Sequence, residues 1–280
     1  MEPGTGASRQ TLPGTEVSIS VVICAHTLDR FDLLRAAIAS VQAQSFRAAE
    51  VILVCDHNED LRQRAESEFS GVRVVQSTRS KGLTGARNTG LAVATGSVIA
   101  FLDDDARAEE TWLETLARPY ANPTVMAVGG GIVPVWPETR PRWFPREFDW
   151  VIGCSYLGQP DGGGAVRNLI GCNMSFRRDV SRLVGDFRDG LGRVGDNAAG
   201  CEETDYFIRM QKAFPTRTVY LEPRALVHHA VSAKRASWRY LIQRCRAEGR
   251  AKADLVAYVG RAHGLSSETN YARKVLPAGV

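Results

Sequence analysis

The sequence predicts an α/β fold built on a parallel sheet. Three apolar runs predict strands: VSISVVIC at 17–24, EVILVCD at 50–56 and SVIAFLD at 97–103, each of strand length and bounded by polar or turn residues. Between them apolar residues recur at helical spacing, as Leu34, Ala37, Ile38 and Val41 do, with Arg35 and Gln42 on the other face. Strands that alternate with helices of this length pair in parallel and carry function at their carboxyl ends. Residues 25–27, Asp56 and Asp103 to Asp105 then fall on one edge of the sheet.

In chain order, the first strand runs into a polar loop, AHTLDR at 25–30, and then the first helix. The second strand ends on Asp56, a turn at 57–60 leads to another helix, and a short strand follows at 72–76. GLTGARNTGLAVATG at 82–96 is a helix bounded by glycines that feeds the strand ending in Asp103, Asp104 and Asp105. Two like charges about 4 Å apart repel by about 4 kcal/mol at an effective dielectric of about 20, so this triplet calls for a cation. In extended chain Asp103 and Asp105 point one way and Asp104 the other, leaving one pair for a divalent metal. An acidic turn opening a helix near Glu109 fits the triplet equally well.

Further along, residues 112–116 are helical and 125–135 (VMAVGGGIVPV) form a strand whose Gly129, Gly130 and Gly131 let another group approach the backbone. WPETRPRWFPREFDW at 136–150 is either a surface excursion packed by its own aromatics or a binding platform, since the faces of Trp136, Trp143 and Trp150 stack well on ligands such as sugar rings or apolar carriers. DGGG at 161–164 is a flexible loop. The strand at 219–231 ends in His228 and His229, of which only one points inward; His228 is favoured. Residues 237–260 form an amphipathic helix. Lys234, Arg235, Arg239, Arg244, Arg246, Arg250 and Lys252 make its basic face, suited to an anionic membrane surface through 234–262 or to plain solvation. Arg235 and Arg239 also stand as contacts for a diphosphate.

Composition narrows the function classes. With 280 residues and 44% apolar content there is material for one large or two small domains, and a net charge of +4 does not call for nucleic acid. Six scattered cysteines without a CxxC pair read as reduced thiols in a cytoplasmic protein. Residues 1–16 form a loose tail without the apolar core of a signal peptide, and no apolar run reaches 18 residues. The weakly patterned end, 265–280, reads as the point where a longer chain continues.

GLTGARNTG is neither a dinucleotide fingerprint nor a P-loop, since no GKS or GKT closes it. Four ordered motifs, VVICAHT, CDHN, GARNTG and FLDDDA, resemble the donor half of glycosyltransferase family 2, inverting enzymes of the GT-A fold. The resemblance implies a Rossmann-like mixed sheet over 17–231, after the tail at 1–16 and before a basic helical extension at 232–280. It implies donor contacts from Ala25, His26, Thr27, Asp56, Arg87, Asn88, Asp103 and Asp104, with Lys81 nearby, and Asp56 accepting from uracil or ribose. Mg or Mn is expected on Asp105, with Asp103 and His228. Asn173 and Met174, in NMSF, match the family's strand lining the acceptor pocket. GCEETDYFIR at 200–209 resembles the family's GEDxDLxxR segment, whose second acidic residue is the catalytic base. Glu202 takes the first place and Glu203 the second; Glu203 is preferred, although Glu in place of the usual Asp lets either carboxylate reach an acceptor hydroxyl.

The expected activity is inverting transfer of a hexose from a nucleotide diphosphate, UDP foremost, to a carbohydrate, lipid-linked or small-molecule hydroxyl. The expected location is the cytoplasm, peripheral at the inner face of the membrane. The alternatives are a non-catalytic module that holds a nucleotide sugar or glycan, and a nucleotidyltransferase. The second needs a glycine-rich basic loop after the first strand, which AHTLDR is not.

Overall fold

The structure is a computed structural model that describes residues 17–192 and 200–278; the tail expected at 1–16 lies outside the described residues. The strands are β1 (Ile19–Ala25), β2 (Glu50–Cys55), β3 (Arg73–Gln76), β4 (Val98–Asp103), β5 (Ala106–Ala108), β6 (Val125–Val135), β7 (Gly164–Ala165), β8 (Asn173–Arg177) and β9 (Thr218–Ala230). The helices are α1 (Phe31–Gln42), α2 (Glu59–Glu68), α3 (Leu83–Val93), α4 (Trp112–Ala117), α5 (Arg178–Val184), α6 (Glu202–Ala213), α7 (Trp238–Val259), α8 (Arg261–Gly264) and α9 (Ser266–Asn270).

All nine strands form one sheet in the order β3-β2-β1-β4-β8-β6-β9-β5, with β7 also on β9. The parallel half, β3-β2-β1-β4, is the one that strand–helix alternation predicts. The other half is mixed, because β8 runs antiparallel to both β4 and β6 while β6 and β9 are parallel. The first strands are apolar throughout because both faces are covered. Ile19, Val21 and Ile23 of β1 join Leu34 and Ile38 of α1 in one core layer. Val22 turns to the opposite layer, with Phe101, Phe176, Tyr206 and Phe207.

Local chemistry sets the helix ends. Asn58 caps α2 by accepting from the Leu61 amide at 2.9 Å. Ser237 caps α7 by accepting from the Tyr240 amide at 3.2 Å, and Gly260, at φ +83°, ends it. The glycines of β6 make room for protein, not for a ligand. A Cβ on Gly130 would lie 1.9 Å from the Ala225 carbonyl oxygen of β9 and 2.4 Å from the Asn173 amide.

The faces of α7 differ from expectation. Arg244 and Lys252, assigned to a solvated basic face, are buried together with Leu241, Ala251, Leu255 and Val259, while Trp238, Ile242 and Tyr258 are exposed. The sequence pattern misleads because the surface that α7 covers carries carboxylates, described below. All six cysteines are free. Among the described residues no helix is long and apolar enough to cross a membrane.

Candidate active site

Parallel pairing brings the ends of β1, β2 and β4 together: Cys24 lies across from Asp103 and Ala25 across from Cys55. Asp56, one residue past β2, is buried. Its Oδ2 accepts from the Gly82 amide at 2.9 Å, while its Oδ1 has no hydrogen-bond partner. A buried acceptor left open at a strand end suits a ligand N–H or O–H. The AHT loop beside it is fixed by Asn58, which donates to the His26 carbonyl at 3.0 Å, and by Thr27, which accepts from the Asp29 amide at 3.2 Å. Lys81 is exposed, and no described contact brings it to this loop.

The three carboxylates after β4 have different surroundings. Asp103 is half-buried and faces a cavity of about 220 Å3. Asp104 and Asp105 are buried, and Arg30 spans them, 2.9 Å from Asp104 Oδ2 and 2.8 Å from Asp105 Oδ2. Burial, and then the Asp105 charge, push the Asp104 carboxyl up. Burial acts the same way on Asp105, but the adjoining His229, with Arg235 and Arg30, outweighs it and holds that carboxyl well below the usual range.

His229 is the inward histidine. Its Nε2 stands 3.2 Å from Asp105 Oδ1 and 3.3 Å from Arg235 Nη1, and the ring is 2% exposed. His228, favoured from the sequence, turns away and meets Glu109 at 3.0 Å. The reason is strand phase: Ala225 and Val227 of β9 are buried in the first core layer, and His229 shares their face.

Asp103, Cys172 and His229 bring one ligand atom each within 4.8 Å of one another. Neighbouring oxygens or nitrogens around an octahedral ion with bonds of about 2.1 Å lie about 3 Å apart, which the Asp105–His229 pair matches. A proton on His229 Nδ1, 3.7 Å from Cys154 Sγ, leaves Nε2 free as a ligand. Burial pushes the Cys172 thiol well above its ordinary value, which leaves the carboxylates of Asp103 and Asp105 and the His229 imidazole as the groups here that could hold a hard ion such as Mg or Mn.

Arg87 of α3 is buried behind these groups. Its Nη1 donates to Glu202 Oε1 at 2.8 Å, its Nη2 lies 3.7 Å from Asp103 Oδ1, and the guanidinium sits 5.9 Å from the ring centres of both Phe101 and Phe187. Gly171 leaves room for this guanidinium, since a Cβ there would meet Arg87 Nη2 at 2.4 Å. Glu202 is thereby held by Arg87, and its Oε2 accepts from the Cys201 amide at 3.1 Å. Glu203 lines the cavity with no described cation within ion-pair reach. Burial, and then the Glu202 charge, push its carboxyl up to about 7. Of the two carboxylates, Glu203 is the one placed and poised to take a proton.

Several other expectations need correction. Asn88 does not face this cavity: it donates to the Phe187 carbonyl at 2.9 Å and accepts from the Phe187 amide at 2.8 Å, clamping the chain ahead of α6. Asn173 is a core residue, accepting from Trp112 Nε1 at 2.9 Å and donating to Gly131 and Ala225 carbonyls at 3.0 and 2.9 Å. Met174 is wholly buried in the second core layer. Trp136 packs edge-on against Phe144 at 5.3 Å, and Trp143 stacks on Trp238 at 4.3 Å. Of the three tryptophans only Trp150 lines the cavity. Nothing in the sequence marks Arg30, Arg167, Arg244, Lys252 or Glu268 as wall or support of this site; each looks like an ordinary surface charge until the chain folds.

A parallel sheet edge with paired carboxylates, facing a carboxylate across one cavity, defines an enzyme of the GT-A kind. The sequence model of glycosyl transferase family 2 matches residues 20–185, more than half of the chain, and the chain belongs to this family of glycosyltransferases. It is 34% identical over 240 residues to the glucosyl-dolichyl phosphate glucuronosyltransferase of Haloferax volcanii, spanning 84% of this chain and 76% of that protein. It is also 34% identical over 188 residues to the succinoglycan biosynthesis protein ExoM of Rhizobium meliloti, spanning 67% of this chain and 56% of that one. The crystal structure of GalNAc-T7 with UDP, GalNAc and Mn2+ has the same fold, with a TM-score of 0.59 at 18% identity over 78% of this chain and 44% of that one.

Proposed function

We propose that this glycosyltransferase moves a sugar from a UDP donor to an acceptor hydroxyl with inversion, using Mg or Mn held by Asp103, Asp105 and His229. The observation that carries this is one cavity lined by Asp103 and His229 and also by Glu203. The open Asp56 Oδ1 offers the acceptor that the imide N–H of uracil needs. The GalNAc-T7 structure, which contains UDP and Mn2+, supports the donor and the ion, and the name of the Haloferax relative supports a lipid-phosphate-linked acceptor.

The bound ion supplies charge neutralisation for the departing diphosphate. Arg235, placed against His229, adds a cation on the same side. Glu203 takes the proton from the acceptor hydroxyl as its oxygen forms the new bond to the anomeric carbon. The carbon–oxygen bond to the diphosphate breaks with its electron pair leaving on UDP. Attack and departure on opposite faces invert the centre.

The test is turnover of a panel of UDP-sugars with Mn, with the product anomer read by NMR. A β-linked product from an α-linked donor is expected; an α-linked product would contradict the mechanism. An acceptor on lipid also requires access to a membrane. The exposed Trp238 and Ile242, one turn apart on α7 beside the exposed Arg239 and Arg246, suit an anionic surface. Sedimentation with anionic vesicles should therefore fall severalfold in Ile242→Asp, and equal sedimentation would remove this contact from the account.

A further inference from the structure

Besides Arg87 and Arg235, the cavity is lined by Arg167, Arg244 and Lys252. Arg244 packs over Gly200, where a Cβ would lie 3.2 Å from its Nη2, and donates to Glu248 at 2.7 Å. Lys252 follows, 3.4 Å from Glu248 and 3.0 Å from Glu268. Arg167, ahead of β8, grips the same Glu268 with two bonds of 2.6 and 2.7 Å and also donates to the Gly264 carbonyl at 3.1 Å. Three cations thus share two carboxylates. The Nε of Arg244, whose side chain is 9% exposed, is a buried donor without an acceptor. Such a cluster is costly to bury, and it leaves one donor of Arg244 without a partner.

The carboxylate in the bidentate grip sits on a lightly buried segment of the fold. Neither α9 nor the helical turn Tyr271–Val275 after it contributes a buried residue. This segment is fastened across the cavity by the Arg167–Glu268 pair and by Tyr271, which donates to the Glu147 carbonyl at 2.7 Å. A segment with so little buried surface opens at low cost, so its carboxylate can be exchanged. A planar fork holding a carboxylate this way binds a phosphate or another carboxylate equally well.

The order of groups along the wall fixes which substrate meets the cluster. Asp103 is linked through Arg87 to Glu202; Glu203, next to it in α6, lines the same cavity and acts by its charge on Arg244, which shares Glu248 with Lys252, and Lys252 shares Glu268 with Arg167. A hydroxyl at Glu203 belongs to a molecule that extends away from Asp103 and onto the cations. We propose that Arg167, Arg244 and Lys252 form an anion subsite that reads a phosphate or carboxylate on the acceptor, and that Glu268 fills it until the acceptor displaces it. This assignment rests on Glu203 marking the acceptor side.

The experiment is metal-free titration of the full chain with inorganic phosphate and, separately, glucuronate, at low ionic strength. Removing the built-in competitor in Glu268→Gln should tighten at least one of them about tenfold. Asp60→Asn, an equal charge change on the exposed face of α2, should not. Adding Lys252→Gln or, independently, Arg244→Gln to Glu268→Gln should cancel the gain. Tightening for phosphate alone assigns the subsite to a phosphorylated acceptor and for glucuronate alone to an acidic sugar. No gain over Asp60→Asn, or a gain that survives both second substitutions, overturns the subsite. UDP titration with Mn on the same proteins separates the two ideas: Glu268→Gln should leave it unchanged, and failure of UDP to bind the unaltered chain would count against the donor site alone.

Discussion

Glu203→Gln should lower transfer by about 10²–10⁴-fold, the range a positioned general base contributes, and leave UDP binding in the presence of Mn within about twofold. Glutamine keeps the shape of the side chain and removes only its ability to take a proton, so the effect belongs in kcat. The unaltered enzyme should show the matching pH dependence. A carboxyl pushed up to about 7 is protonated and idle in acid, so turnover at saturating donor rises as pH passes through about 7 and then levels off. Glu202→Gln removes the like charge beside it and frees Arg87 to face it, so the inflection should move to lower pH. If Glu202→Gln stops transfer and Glu203→Gln does not, the base has been assigned to the wrong residue.

Arg87→Ala should destabilise the fold by about 3–5 kcal/mol, the cost of leaving a buried carboxylate without its partner. Glu202 is 4% exposed in its side chain, and Arg87 is its only described cation. Burial opposes charge on Arg87, yet Glu202 and Asp103 together keep it firmly protonated, so the guanidinium serves both the fold and the position of the carboxylates. Denaturant unfolding measures the loss. Arg87→Met with Glu202→Gln should recover most of it, since methionine refills the space between Phe101 and Phe187 and no charge is left unpaired. A loss below about 1 kcal/mol in Arg87→Ala would mean that water or another cation serves Glu202.

The parallel half of the sheet was readable because its strands are buried on both faces and carry unbroken apolar runs. The antiparallel insertion of β8 between β4 and β6 was not. Nothing in NMSFR distinguishes a strand that turns back from one that continues the winding. The inward histidine was readable and was missed: Ala225 and Val227, four and two residues before it, are the apolar positions of the closing stretch, and that alternation carries His229 inward. Asn173 looked functional because NMSF resembles the family's strand lining the acceptor pocket. Its partners, Trp112 and two carbonyls, come from elements far away in sequence. The cationic wall was hidden because Arg244, Glu248 and Lys252 are spaced like a solvent-facing row on α7, while Glu268, which meets Lys252 and Arg167, arrives from α9.

The most direct test of the central claim is isothermal titration of UDP into the protein with and without Mn, repeated on Asp105→Ala and His229→Ala. Binding that requires Mn in the unaltered chain and is lost in both variants is the result expected from a metal held between these two side chains. Binding of equal strength without Mn, or unchanged in both variants, would contradict a metal site formed by Asp105 and His229.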